Sequence, residues 1–513
     1  MLATVWSLGL KGIDGFPVSV EVDVSPGLPT FAIVGLPDAE VREARERVAA
    51  AVRNSGYDFP LKRITVNLGP AEVKKAGTHF DLPIALGVLI AGGAVEEYSG
   101  EVLKATVFAG ELGLDGSVRP VSGVLSMAMA AAGRFGAMVS PSANSSEAAS
   151  SKLASFSVSS LRQAADFMRS GSGLEKCSPG QGSSTEGRFA AGDLCEVKGQ
   201  ALAKRALEIA AAGGHNLLMM GPPGTGKSML ARRFSGILPP ITRDEALEVT
   251  RIYSVCGLLR SGGLVGERPF RDPHHSVSDI ALIGGGSTPR PGEVSLAHNG
   301  VLFLDELPEF SRSSLEVLRE PMESFRVTIS RARESLSFPA RFTLLAAMNP
   351  CPCGHAGNPE KACTCTPLQI RKYRSRISGP LLDRIDLTVS LSPVKYGEWR
   401  GGPGGETSAA VRGRVLSARR IQEERLKGTP ATANAFMSVR QIHEHCRIPE
   451  SGGRILETAM KRLGLSARSL DKILKVARTI ADLEGKTEIA SEHIMEVIQY
   501  RSFDRSGLTE QTL

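Results

Sequence analysis

Gly221, Pro222, Pro223, Gly224, Thr225, Gly226, Lys227 and Ser228 form an unbroken G-x-x-x-x-G-K-S run. Residue types at this spacing suit a phosphate chain. Glycines let backbone N–H groups turn inward around an anion, and the N-terminus of a following helix adds positive potential. Lys227 reaches the outer phosphates of a nucleoside triphosphate, and Ser228 offers a hydroxyl to Mg²⁺. The apolar run at 301–304 delivers an acidic pair, Asp305 and Glu306, 78 residues after Lys227. Asp305 suits the Mg²⁺ shell, and Glu306 suits a general base that polarises attacking water. Asn349 ends a further apolar run, where an amide can orient that water. These residues together predict ATP and Mg²⁺ as ligands. Just beyond lies a second chemistry. Cys351, Cys353, Cys363 and Cys365 are four of the chain's eight cysteines within 15 residues. Four thiolates suit a closed, structural Zn²⁺ site, with His355 as a substitute ligand and a role in DNA contact or subunit packing.

Such groups need elements to hold them. Short apolar runs at 216–220, 301–304 and 342–347 predict strands, and 229–234 a helix. Strands with polar residues at their C-terminal ends and helices between them predict a parallel α/β sheet with its site at the carboxyl edge. In the first block, 18–24, 30–34 and 64–68 alternate as strands do. Residues 38–54 carry Val41, Ala44, Val48, Ala51 and Val52 at helical spacing. The apolar stretch 82–95 contains Gly and Pro and is too short to span a bilayer, so it predicts a buried helix, not a membrane anchor. Residues 470–483 have helical periodicity.

Two breaks divide the chain. Residues 170–187 hold 11 Gly, Ser or Pro in 18, the composition of a flexible linker; 401–405 read GGPGG. The domains expected are 1–169, a linker at 170–187, an ATPase core at 188–400 and a helical block at 401–513. The chain is 42% hydrophobic and 22% charged, which excludes a disordered or fibrous protein. Its net charge is +7, unevenly spread. Residues 1–187 carry 16 Lys and Arg against 19 Asp and Glu, while residues 366–513 carry 25 against 17. Arg371, Lys372, Arg374 and Arg376 crowd one short stretch. The excess favours a polyanionic partner. The N-terminus has no secretory signal pattern. Few cysteines and no export signal set a reducing cytoplasm as the expected location.

The P-loop, the Asp-Glu pair, Asn349 and the run SGPLLDRIDL at 378–387 resemble an AAA+ ATPase of the magnesium-chelatase-like subgroup. The resemblance assigns Arg384 as the arginine finger that enters a neighbouring subunit's site, and Arg468 as the second sensor arginine on a C-terminal helical lid. Val197 to Gln200 resembles the segment lining the adenine pocket. Residues 278–299 and 326–337 resemble the helix-2 insert and the pre-sensor hairpin, which implies substrate contact. Arg326, Arg331 and Arg333 are then expected on DNA phosphates. The first block resembles an α+β Lon-protease-like domain, but His79 and Leu125 stand where its serine and lysine belong. The dyad is absent, which implies a non-proteolytic docking or DNA-binding block.

The block order and the cysteine-to-LLDRIDL stretch are similar to the ComM/YifB family. That resemblance implies a homo-hexameric helicase acting on single-stranded or branched DNA. It also implies branch migration in natural transformation, alongside recombination proteins and with no membrane partner. The alternative is a protein-remodelling or metal-insertion chaperone of the chelatase type.

Overall fold

The computed structural model describes residues 1–95, 97–178, 180, 192–259, 263–286, 289–331, 334–358, 360–394, 400, 405–463 and 466–501. The chain forms two compact units. One comprises Met1–Glu186 with Thr242–Glu267, the other Gly187–Ile241 with Arg268–Leu513.

The first unit is built on a mixed eight-stranded sheet. Leu2–Lys11 pairs antiparallel with Asp14–Ser25, which pairs with Arg63–Gly69, and Thr30–Val34 completes that edge. Alternation decides the faces: Val18, Val20, Val22 and Val24 all point into the core. The expected amphipathic helix is Ala39–Asn54, capped by Asp38, with the five apolar positions buried. The expected buried helix is Asp81–Ala91, buried along its whole length. Asp81 is tolerated there because Arg47 meets its carboxylate at 2.7 and 3.0 Å. Inside the stretch expected as linker, Glu175–Lys176 pairs with Phe156 and Ser157 as the sheet's outer strand. Two residues among Gly and Ser carry no periodicity that would announce it. Residues 181–187 of that stretch, and 401–404 of the second break, lie outside the described residues.

Thr242–Glu267 was expected inside the ATPase core and instead lies with the first unit. Its helix, Arg243–Val255, starts at a capping box between Thr242 and Glu245. Arg251 donates to Asp14 at 2.6 Å and to the Ile13 carbonyl at 3.0 Å. Ser254 donates to Glu147 and accepts from Gly123 N at 2.9 Å. Nothing in the local pattern of this amphipathic helix names the surface that covers it.

The second unit holds a five-stranded sheet in the order Phe270–Arg271, Gly300–Leu304, Phe342–Met348, Leu217–Met220, Leu387–Ser390. All four pairings are parallel. Both faces are covered, so the strands read as continuous apolar runs, not alternation. Leu217, Met219, Val301, Phe303, Leu345 and Ala347 join one core, shared with the C-terminal helices. Leu218, Met220, Leu302, Leu304, Leu344 and Ala346 join the other. The C-terminal helices include Ser408–Arg425, Glu450–Leu463, Ala467–Leu483 and Ser491–Gln499. The protein is thus α/β with a parallel five-stranded sheet and a helical C-terminal region. Among the described residues, no helix is long and apolar enough to cross a membrane.

Two buried histidines make stability depend on pH. Burial pushes His79 in the first unit and His215 in the second down from 6.5 to about 4. His215 Nδ1 lies 3.9 Å from Asp386, whose charge only partly offsets the burial. Both rings are therefore neutral in the fold at pH 7, and each gains a proton near pH 6.5 once unfolded. The contribution of each ring to stability is full above about pH 6.5 and is lost towards pH 4, up to about 3 kcal/mol per histidine. Thermal unfolding is expected to fall across that window and to fall less in His215→Gln. A melting temperature flat from about pH 7 to pH 5 would contradict the burial of both rings.

Candidate nucleotide site

Leu217–Met220 is fully buried and runs straight into the Gly-rich loop, after which Lys227–Phe234 is helical. Gly224 and Gly226 have φ of 80° and 88°, a region that side chains resist. At Gly221 a Cβ would come within 2.6 Å of the Leu391 carbonyl. The loop can close only because these positions are glycine.

Lys227 folds back into this loop. Its Nζ donates to the carbonyls of Gly221 at 2.7 Å and Pro222 at 2.9 Å, and to Asn349 Oδ1 at 3.1 Å. Burial holds its pKa below the ordinary lysine value, opposed by Asp305 and Glu306. Ser228 Oγ donates to Asp305 Oδ2 at 2.5 Å. The structure therefore brings Lys227, Ser228, Asp305 and Asn349 together from three adjacent parallel strands. All lie at the carboxyl edge, the crevice where open α/β sheets bind ligands.

Glu306 adjoins them with a half-exposed side chain. Its φ is 52°, unusual for a residue with a side chain. Such a conformation costs on the order of 1 kcal/mol and collects at functional sites. Its own N–H donates to Asp305 Oδ1 at 2.9 Å, which holds the Asp305 carboxylate.

Sequence reasoning missed a fourth strand. Phe270–Arg271 is followed by Asp272, His274 and His275, and His275 Nδ1 lies 3.5 Å from Glu306 Oε2. Burial raises the Asp272 pKa, Arg232 opposes the rise and Asp305 adds to it. A two-residue strand has no periodicity to detect. The only sequence signal is the polar cluster RDPHHS itself.

The two arginines assigned by resemblance lie elsewhere. Arg384 precedes Leu387–Ser390, which runs parallel to Leu217–Met220 with Leu387 opposite Leu217. Arg384 is therefore at the amino edge, and the strand alone separates it from its own P-loop by about 10 Å. It pairs with Glu323 at 2.8 Å and donates to the carbonyls of Arg319 and Pro380 at 3.1 and 2.7 Å. Arg468 reaches the same Glu323 at 3.3 Å.

The arginine hairpin is an antiparallel ribbon, Arg326–Arg331 with Glu334–Pro339. Arg326 is exposed. The Arg331 side chain and Arg333 lie outside the described residues. The insert folds as Asp279–Ile283, a small ribbon Gly284–Gly285 with Arg290–Pro291, and Glu293–Leu296. In the basic stretch, Arg374 donates to the Pro350 carbonyl and Arg376 pairs with Glu309, whereas Arg371 and Lys372 face solvent.

The four cysteines converge, with all four sulfurs within 4.8 Å of one another. Cys351 Sγ lies 3.4 Å from Cys353 Sγ and 3.6 Å from Cys363 Sγ. Four sulfurs bonded to zinc at about 2.3 Å would sit about 3.8 Å apart, so the cluster can hold one such ion. The N–H groups of Ala356, Cys353 and Cys365 donate to its sulfurs, as suits thiolates. Its turn lies on the P-loop: a Cβ on Gly354 would come within 2.5 Å of Pro223 Cδ. The knuckle thus braces the nucleotide loop, a placement that the sequence reading did not give it.

Comparison with known proteins agrees with this architecture. The family model "Magnesium chelatase, subunit ChlI" matches residues 193–399. "Subunit ChlI of Mg-chelatase" matches 20–144, and the ChlI C-terminal model matches 405–501. The uncharacterized protein YifB of Salmonella typhimurium is 44% identical over 98% of both chains. The competence protein ComM of Haemophilus influenzae is 43% identical over 98% of both. The chloroplastic magnesium-chelatase subunit ChlI-2 of Arabidopsis thaliana is 24% identical over 55% of this chain and 67% of its own. With its three blocks matched in order and full-length relatives of this identity, the chain belongs to the ComM/YifB family of magnesium-chelatase-like AAA+ proteins.

Proposed function

We propose that this protein is an ATP-driven DNA motor. It works as a homo-hexamer on single-stranded or branched DNA and promotes branch migration of incoming DNA in natural transformation, with recombination proteins as partners. The observation that carries the reading is the division of one parallel sheet into two working edges. Lys227, Ser228, Asp305 and Asn349 stand at the carboxyl edge, and Arg384 and the base of the arginine hairpin at the amino edge. An arginine so placed acts on phosphate only across a subunit boundary. The name of the ComM relative adds the link to competence.

In this reading Lys227 leaves its loop carbonyls for the outer phosphates, and backbone N–H groups cradle the rest. Ser228 and Asp305 are an oxygen pair of the type Mg²⁺ takes; the ion, when bound, neutralises charge building on the phosphates. Asn349 orients the attacking water and Glu306 accepts its proton. Arg384 of a neighbouring copy stabilises the charge on the transferred group.

DNA contact falls to Arg326, Arg331 and Arg333. Lysine and arginine contacts to phosphate release counterions, so DNA affinity is expected to fall steeply with salt. Arg331→Ala with Arg333→Ala should cut DNA-stimulated ATPase and strand displacement on a three-way junction, while basal ATPase survives. Wild-type ATPase indifferent to DNA would overturn the reading and favour the chelatase-type chaperone.

The cysteine knuckle is read as a structural Zn²⁺ site. Metal analysis should find about one zinc per chain, lost in Cys363→Ser with Cys365→Ser. Because the knuckle lies on Pro223, that variant should also bind nucleotide more weakly. A metal-free, fully active protein would remove the zinc assignment and leave the ATPase reading intact.

A further inference from the structure

Arg384 and Arg468 come from distant parts of the second unit and share one carboxylate, each holding a different oxygen of Glu323. The Arg384 side chain is 10% exposed and is fixed by two carbonyls as well; that of Arg468 is 61% exposed. Glu323 and Arg384 line a cavity of about 530 Å³ with Arg319, Glu316 and Glu320. Glu323 belongs to the single-turn helix Pro321–Ser324, and after Phe325 the chain enters the arginine hairpin at Arg326. The same short segment therefore touches both phosphate-directed arginines and begins the hairpin.

A carboxylate whose two oxygens each meet a separate guanidinium is a small stand-in for a terminal phosphate. We propose that Glu323 is an acidic latch, which holds Arg384 and Arg468 until the terminal phosphate of a neighbouring copy's nucleotide displaces it. This rests on the ring-ATPase reading above. Exchange is cheap on the Arg468 side, because an exposed ion pair contributes little. Phosphate carries more charge than the carboxylate and takes both arginines. Released Glu323 then shifts the base of the hairpin, so DNA on the hairpin and ATP at the boundary bias the same element. Glu323 is a positioning residue and touches no substrate.

A plain counterion for Arg384 would stabilise the fold without setting the response to DNA. Steady-state ATPase of the full chain, with and without single-stranded DNA, separates the two roles. Glu323→Gln is expected to raise DNA-free turnover about five- to tenfold, to lower KM for ATP and to bring the DNA stimulation ratio close to one. Glu323→Asp keeps the charge but spans only one arginine, and should fall between. A folded Glu323→Gln protein with unchanged or lower DNA-free turnover and unchanged stimulation overturns the latch. If only Glu323→Asp folds, wild-type KM and stimulation in that variant overturn it. If neither folds, Glu323 is a structural counterion and the latch is wrong. Wild-type ATPase that ignores DNA sinks the motor reading instead, and the latch is then judged on KM and DNA-free turnover. Absence of wild-type ATPase sinks both.

Discussion

Glu306→Gln is expected to bind ATP as tightly as the parent protein and to hydrolyse it about 10²- to 10⁴-fold more slowly. The substitution keeps size and hydrogen-bonding capacity but removes the group that accepts a proton from water. The Glu306 backbone N–H holds Asp305, and the side-chain change leaves that contact in place. In the proposed site nucleotide affinity resides in Lys227, Ser228 and the loop N–H groups, which the variant does not touch. Lys227→Ala is the complement: it removes the cation beneath the phosphates and should lose nucleotide binding itself. Equilibrium binding of a labelled nucleotide and single-turnover hydrolysis separate the two. Normal turnover in Glu306→Gln would falsify the assignment of the base.

Arg384→Ala is expected to abolish turnover across every boundary it faces, so that one such subunit poisons a mixed ring. Removing an arginine finger costs about 10³- to 10⁵-fold in rate. The geometry is the reason to expect the loss in trans. Parallel pairing of Leu387–Ser390 with Leu217–Met220 puts Arg384 and its own P-loop at opposite ends of the strands. Titrating Arg384→Ala protein into wild type should depress ATPase below the fraction of wild-type subunits remaining. Inhibition that follows simple dilution would leave the finger without a partner site. Arg384→Lys should be nearly as damaging, because a point charge replaces the planar fork. Its folding is checked by the melting temperature, since Arg384 is largely buried and paired with Glu323.

The sequence alone determined features whose cause is local. The glycines and Lys227 sit at a spacing that permits one loop conformation between a strand and a helix. The apolar strands end at Asp305 and Asn349 because a strand buried on both faces must stop where polar chemistry begins. Ala39–Asn54 and Asp81–Ala91 follow from periodicity and from its absence. The four cysteines lie close enough in the chain for short-range turns to unite them.

Tertiary structure decided what depends on partners far along the chain. Asp272 and His275 join the site through a two-residue strand that only pairing with Gly300–Leu304 defines. Thr242–Glu267 leaves the ATPase sheet for the first unit. Glu323 collects Arg384 and Arg468. The knuckle comes to rest on Pro223. The physical reason is the same in each case. Apolar periodicity states that a face is buried, and a charge states that it needs a partner, but neither names the partner. That choice is made when strand order, parallel register and packing bring distant segments to a common edge.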